Sequence, residues 1–349
     1  MSARLALFIN RKVRLTGYTS DRTERKGEQY MFSVNQRAVQ IVKEKIIPNA
    51  EMLQCEVHQL KNGATVIDMG LFARGGYMAG KLFVEATIGD MGHVDFGRFT
   101  LGAIDLPSID VYIDLPQTAT LSSQFSGWDL SAGYEKGTLM PIGSGPARAI
   151  YKNDLGSIDW TYKDIHHETV FAAQTTDMPN EAMAEDVAKK CGLKPENVYI
   201  LAATTGSLAG SIQVCSRSVE ASMFCMLQKG FPLEAVISGM GICPIAPPTK
   251  DELSAMDRVN TALMYGCTVR YLVDCEDDEI EAFLKVAPFN ISPRFGEHFI
   301  DLFEEGDRNF VEVDASIHTV ACYEITNFKT GKTFRAGELR EDMLARSFF

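Results

Sequence analysis

The sequence predicts an α/β protein with α+β character, organised as two α/β-type domains, and three observations lead there. Its 349 residues exceed what one hydrophobic core normally serves, so the chain is expected to divide. Short apolar runs at Thr169–Ala173 and Val198–Ala203 alternate with helical stretches at Asn180–Cys191 and Gly206–Gln228, the pattern of helices laid on a sheet. Hairpin signals near both ends of the chain add antiparallel pairs. With 46% hydrophobic and 23% charged residues, the composition is that of a globular protein with a large core.

Residues 1–30 stand apart. They carry Arg4, Arg11, Lys12, Arg14, Arg22, Arg25 and Lys26 against Asp21, Glu24 and Glu28, and their apolar cluster Leu5–Ile9 is too short for a secretory core. They are expected to form a dispensable basic arm, with Met31 as a second start; a docking arm is the alternative. The first α/β domain, 31–115, opens with a helix, because Val34, Ala38, Ile41, Val42 and Ile46 recur at helical spacing until Pro48 interrupts them. Glu56–Leu60 and Thr65–Met69 flank Lys61-Asn62-Gly63, a hairpin with its turn signal. Strands are expected at Leu82–Ile88, Val94–Thr100 and Ile109–Ile113. The second α/β domain, 116–289, adds helices at Asp251–Tyr265 and Asp278–Val286 and a strand at Val269–Val273. Beyond it, a helix at His298–Phe303 and a hairpin of His318–Thr326 with Thr333–Ala336 are expected to bring part of 290–349 back onto the first domain.

Charge and cysteine usage exclude several functions. A formal charge of −12 repels phosphate backbones, so neither nucleic acid nor an anionic membrane surface is an expected partner. No run approaches the ~20 apolar residues of a membrane-spanning helix. Cys55, Cys191, Cys215, Cys225, Cys243, Cys267, Cys275 and Cys322 include no C-x-x-C pair and no metal-type spacing with histidine, which points to reduced, buried thiols in a cytoplasmic protein. His166-His167-Glu168 lacks the spacing that sets two imidazoles on one helical face, so no metal is expected. Asp274, Glu276, Asp277 and Asp278 around Cys275 disfavour a thiolate there and read as a solvated helix start.

The chemistry concentrates in Gly206–Gln228. This stretch is apolar nearly all round, as in a buried helix, and its only formal charges are Arg217 and Glu220, at i and i+3. Gln213 falls one turn earlier on their face, apart from the stripe of Leu208, Ile212, Cys215, Val219 and Met223. A buried ion pair is costly and seldom adds net stability, so either a cleft or a structural tether must account for it. Thr204, Thr205, Gly206, Ser207 and Gly210 offer hydroxyls and N–H groups at a helix start, where an anion or polar ligand atom is well received; tight helix packing is the alternative. Ser122, Ser123, Gln124 and Trp128 suit a flat heterocycle, and Gly143-Ser144-Gly145-Pro146-Ala147-Arg148 suits a phosphate or carboxylate without being a P-loop. Gly239–Pro248 reads as a rigid, turn-rich segment. Each of these three is by itself compatible with an ordinary loop.

Taken collinearly, these segments resemble the methenyltetrahydromethanopterin cyclohydrolases of one-carbon metabolism in methanogens and methylotrophs, from about Met31 to the C-terminus. The likeness rests on Ser33-Val34-Asn35, Asn62–Asp68, Gly143–Ala149, Gln213-Val214 with Arg217-x-x-Glu220, Pro244-Ile245-Ala246-Pro247 and Thr330–Leu339. It implies a homotrimer of two-domain subunits with the pterin pocket between the domains. It also implies reversible hydrolysis of N5,N10-methenyltetrahydromethanopterin to the N5-formyl form, with no metal or added cofactor. Glu220 and Arg217 take the places of the family's catalytic pair. Some relatives carry a polar or basic residue where this chain has Phe125, before Ser126-Gly127-Trp128, which leaves a polar contact and the pterin variant open. Under this reading Glu220 is the base that activates water, Arg217 braces it, and the remaining residues hold the pterin and its anionic tail. A non-catalytic pterin-binding protein and a cyclohydrolase acting on a folate analogue are the rival readings.

Overall fold

The computed structural model describes residues 32–102, 104–128, 130, 139–151, 162–310 and 312–349, so the basic arm expected over 1–30 lies outside the described residues. Two sheets organise them. The first has the order β1 (Glu56–Gln59), β2 (Thr65–Gly70), β7 (Val198–Ala203), β6 (Thr169–Gln174) and β5 (Ile142–Ser144), with a parallel centre β2–β7–β6 and antiparallel edges. The second has the order β11 (Thr333–Gly337), β10 (Cys322–Asn327), β9 (Thr268–Val273), β8 (Val236–Pro244), β4 (Ile104–Ile113) and β3 (Gly92–Leu101). All its pairs are antiparallel except β10 with β9.

The first sheet is covered on both faces, and its strands alternate between two cores. Ile67, Met69, Val170, Ala172, Tyr199 and Leu201 pack with α1 (Val34–Gln40), its π-helical continuation Ile41–Ile46, and α2 (Tyr77–Thr87). Val66, Phe171, Ala173, Val198 and Ile200 face the other way, toward α3 (Ala147–Tyr151) and α4 (Glu181–Cys191). The second sheet buries one face under α5 (Leu208–Cys215), α6 (Ser218–Lys229), α7 (Glu252–Thr261), α8 (Asp277–Leu284), α9 (Phe299–Glu305) and α10 (Glu341–Phe348), around Val111, Val269, Tyr271, Tyr323 and Ile325. Its other face carries charged pairs such as Arg270–Glu324 at 2.6 Å. This is the α/β architecture with antiparallel additions that the alternation predicts.

Sheet membership does not follow the sequence division at residue 115. β1 and β2 enter the first sheet, whereas β3 and β4 enter the second beside β8, and the C-terminal β10 and β11 join that same second sheet. Long-range pairing, which a linear reading cannot see, decides this.

Four expected elements differ. Leu82–Ile88 is not a strand: it lies in α2, which sits between two cores, so that Phe83 and Ala86 face one and Val84 and Ile88 the other. Burial on both sides removes the polar stripe that marks a surface helix. Gly206–Gln228 is not one helix but two, α5 and α6, broken at Ser216-Arg217; the Ser216 hydroxyl donates to the Gln213 carbonyl at 2.7 Å and competes with the helical ladder. Gly239 and Gly241 belong to strand β8 rather than a turn. A Cβ at Gly241 would come within 2.0 Å of Ser218 Oγ, and one at Gly239 within 2.7 Å of the Tyr271 ring, so these glycines let the first turn of α6 lie close on the sheet. The final hairpin begins at Cys322, with His318 in the loop before it. All eight cysteines are buried and free, as expected. Among the described residues no helix is long and apolar enough to cross a membrane.

The crossing of α2 and α5 sets where the polar face of α5 lies. Gly80 makes it possible, since a Cβ there would meet the Ile212 side chain at 2.8–3.0 Å. Gly80→Ala is expected to lower stability by about 1 kcal/mol, overpacking of ~1–3 kcal/mol outweighing the ~1 kcal/mol gained in helix propensity. Urea denaturation checks this, and an unchanged or raised midpoint would show that the two helices separate without cost.

Candidate active site

Three segments that are far apart in sequence converge on one guanidinium. The break between α5 and α6 leaves Arg217 at the head of α6 with φ −79° and ψ 14°, and its side chain runs back beneath α5. Nη1 donates to the Gln124 carbonyl at 2.7 Å and to Ser126 Oγ at 2.8 Å. Nη2 donates to Ser144 Oγ at 3.0 Å and Nε to Gln213 Oε1 at 3.3 Å. A planar fork of five donors fits such a divergent set of acceptors, which a single ammonium cannot. Glu220 Oε2 stands 3.7 Å from Nη1, an ion pair rather than a hydrogen bond.

Glu220 and Arg217 are 7% and 8% exposed, so both charges are held largely out of water. Burial raises the Glu220 carboxyl above its ordinary range, against the pull of Arg217, Arg148 and the Ser126 backbone N–H. Burial lowers Arg217, opposed by Glu220, and brings Arg148 down to about 10, again opposed by Glu220. The charge of a second guanidinium, that of Arg148, thus also favours the ionised carboxylate. Arg148 Nη1 donates to the Leu121 carbonyl at 2.9 Å, and its guanidinium lies 4.9 Å from the centre of the Phe125 ring, which packs in turn on Phe224.

The Ser33-Val34-Asn35 motif positions Arg148 from a distance. Asn35 Nδ2 donates to the Pro146 carbonyl at 2.8 Å and to Asp164 at 2.9 Å, and its Oδ1 accepts from Thr169 Oγ1 at 2.6 Å. This buried network fixes the Gly145-Pro146 turn that leads into α3. Gly145 has φ +99°, a conformation that glycine adopts without strain, and its N–H goes to the Ser123 carbonyl at 3.0 Å.

Beside this cluster lies a cleft lined by Phe83, Ser144, Gln174, Gln213 and Arg217 among others. A second hollow, lined by Thr175, Thr176 and Glu252 among others, shares Gln174 with it. Both open at the carboxyl ends of the parallel strands β6 and β7, the usual ligand position on such sheets. Arg217 lines the first cleft, and Glu220 stands behind it.

Of the residues singled out in the sequence, Glu220, Arg217, Gln213, Ser144 and Arg148 come together here, with Gln124 contributing its carbonyl. Ser122 lies in the same buried segment. Others are placed differently. Trp128 is on the far face of the first sheet, against Phe171 and Tyr151, with Nε1 directed to Asp186 at 3.4 Å. The Ser123 hydroxyl donates to the Thr87 carbonyl at 2.6 Å. The Thr204 hydroxyl donates to the Gly70 carbonyl at 3.2 Å, and Ser207 caps α5. The helix start expected to receive an anion already holds one: Thr205 and Gly206 donate their backbone N–H groups to the Glu252 carboxylate at 2.6 and 2.9 Å. The sequence reading does not single out Gln174 and Glu252 as site residues; a polar residue ending the apolar run of β6 is the available signal for Gln174.

His166, His167 and Glu168 bring ligand atoms within 4.8 Å of one another, the one such group among the described residues. Lys43 donates to both Glu168 oxygens at 2.6 and 2.9 Å, and Tyr199 donates to one at 3.1 Å, so a cation already holds that carboxylate. The Cys275 thiol is pushed up to about 12, by burial first and by its acidic neighbours second.

A two-sheet α/β scaffold that buries a carboxylate against a guanidinium lining a cleft has the elements of an acid–base enzyme. The chain belongs to the family described as Cyclohydrolase (MCH), whose model matches residues 33–348. It is similar to proteins named methenyltetrahydromethanopterin cyclohydrolase. That of Methanocaldococcus jannaschii is 36% identical over 326 residues, covering 91% of this chain and 98% of the relative. The Methanothermobacter marburgensis protein is 35% identical over 325 residues, with 91% and 99% covered. The Methanosarcina barkeri protein is 34% identical over 326 residues, with 91% and 98% covered.

Arg217→Lys keeps the charge but cannot serve Gln124, Ser126, Ser144 and Gln213 at once. Turnover by the variant is expected to fall at least about 100-fold, ~2.7 kcal/mol of transition-state stabilisation. Retention of more than a third of wild-type kcat/KM would show that charge alone suffices at this position.

Proposed function

We propose that this protein hydrolyses N5,N10-methenyltetrahydromethanopterin to N5-formyltetrahydromethanopterin, reversibly, in the cytoplasm and as a homotrimer, with no metal or added cofactor. The observation that carries the reading is Glu220: a buried carboxylate with a raised pKa, 3.7 Å from Arg217, which itself lines a cleft, in a chain of this family.

The chemistry follows from the substrate's charge. A methenyl bridge between two nitrogens is an amidinium-like cation, and its carbon is electrophilic without a Lewis acid. Water needs a base and a fixed position. Glu220 takes a proton from that water, and its raised pKa brings it nearer to neutrality, where a general base works best. Arg217 and Arg148 hold the carboxylate in place and keep burial from neutralising it outright. Ser144 and Gln174 offer hydroxyl and amide groups to the pterin from the strand ends.

Glu220→Gln keeps the shape and removes the base. Followed by the loss of the methenyl chromophore, its turnover is expected to fall at least about 100-fold; a rate within about threefold of wild type, under ~1 kcal/mol, would remove Glu220 from the role. Assaying the tetrahydromethanopterin and folate methenyl compounds at equal concentration separates the two substrate classes, and tight binding of both without turnover would leave a binding protein.

The pH profile has a definite sign. The base must be ionised, and its pKa is raised, so kcat/KM in the hydrolytic direction is expected to fall on the acid side through an ionisation above the ~4.3 of a free glutamate. An acid limb at or below that value would contradict a buried carboxylate as the base.

A further inference from the structure

Gln213 lies in the last turn of α5, is 6% exposed and lines the cleft beside Arg217. Its orientation is settled by chemistry. A guanidinium carries donors only, so the amide atom that receives Arg217 Nε–H at 3.3 Å must be oxygen. The amide nitrogen therefore points away from the arginine, and Nε2 has no hydrogen-bond partner among the described residues although it is buried. An unmatched buried donor is expensive, and native proteins keep few of them. Ser122 Oγ, Gln124 Oε1, Arg148 Nε and Ser218 Oγ are unmatched too, in segments that meet at Arg217, while His58 Nε2, Asn290 Oδ1 and Arg294 Nε are unmatched elsewhere among the described residues. Gln213 Nε2 differs from them in being an amide donor of known orientation on a residue that lines the cleft.

We infer that Gln213 Nε2 holds the oxygen atom that passes from water to the formyl group, a positioning role that rests on the function proposed above. That oxygen is a hydrogen-bond acceptor at every stage, as water, as hydroxyl and as carbonyl, and so it matches a fixed N–H donor throughout. In the first step one lone pair of the water accepts from Gln213 and one of its protons goes to Glu220. The second lone pair forms the bond to the bridge carbon, and the amidinium π electrons return to nitrogen, giving a neutral carbinolamine. Glu220 then passes its proton to N10 as the C–N10 bond breaks and its electron pair goes to that nitrogen. The hydroxyl proton leaves to solvent by way of Glu220, and the oxygen becomes the formyl carbonyl. One water is consumed and one proton released. Gln213 and Glu220, donor and acceptor on either side of Arg217, together set the direction from which the water attacks.

Two substitutions in the full-length protein separate this role from support of Arg217. Gln213→Met removes both the donor and the acceptor; Gln213→Glu keeps an acceptor for Arg217 and removes the donor. Both are expected to lower kcat by about 10-fold or more with KM little changed. In both, the carbonyl stretching band of bound product, carrying a ¹³C-labelled formyl group, is expected to move to higher wavenumber than in wild type, as the lost hydrogen bond strengthens the C=O bond. Wild-type kcat and band position in Gln213→Glu, with loss only in Gln213→Met, would assign Gln213 to bracing Arg217 and overturn the inference. An unmoved band in both would overturn it as well. Absence of turnover in the wild-type protein would instead remove the proposed function on which the inference rests. Should Gln213→Met fail to fold, Gln213→Glu still decides the matter.

Discussion

One buried guanidinium governs this molecule. Arg217 reaches the π-helical segment that ends at Gln124, the Ser126 loop, the edge strand β5 and the last turn of α5 through four hydrogen bonds of 2.7–3.3 Å. The 124–126 stretch, β5 and α5 are far apart in sequence, and each contributes a polar atom that would be costly to bury alone. The same residue is the nearest counter-charge of Glu220. Fold and site are therefore coupled: a change that releases Arg217 from its acceptors also leaves a carboxylate buried beside an unsatisfied cation.

The scaffold is shaped to permit this. Gly80 lets α2 and α5 approach, while Gly239 and Gly241 let the first turn of α6 settle on β8, so the junction between α5 and α6 is held on two sides. The junction itself is a break in helical geometry, and the break aims Arg217 under α5 instead of along a helix flank. Asn35, in another part of the chain, ties α1 to the turn before Arg148, whose charge also favours the ionised Glu220. Burial then opposes ionisation of Glu220 while two guanidiniums favour it, a balance suited to a group that must both take and give a proton.

Much of this was legible in the residues. Local periodicity marked the helices at 34–46, 181–191 and 252–266, and the strands at 65–70, 169–174 and 198–203 stood out as short continuous apolar runs, being buried on both faces. The capping box of Glu276 with Glu279 bears out the acidic run as a helix start. Periodicity failed where burial is two-sided: α2 lies between two cores and reads as a strand. It failed also where glycine serves close packing rather than a turn, as in β8. The break at Ser216-Arg217 has neither glycine nor proline to announce it.

The sequence by itself determined the α/β class, the buried thiols and the pairing of Arg217 with Glu220 on an otherwise apolar stretch, since composition, alternation and spacing are local properties. Tertiary structure alone decided which sheet each strand joins, that Arg148 belongs with Glu220, that Trp128 lies on the opposite face of the sheet, and that Glu252 fills the helix start at Thr205. All of these depend on contacts between residues distant in the chain. Pairing across such distances is set by the packing of whole sheets and helices, and no short window of sequence carries that information.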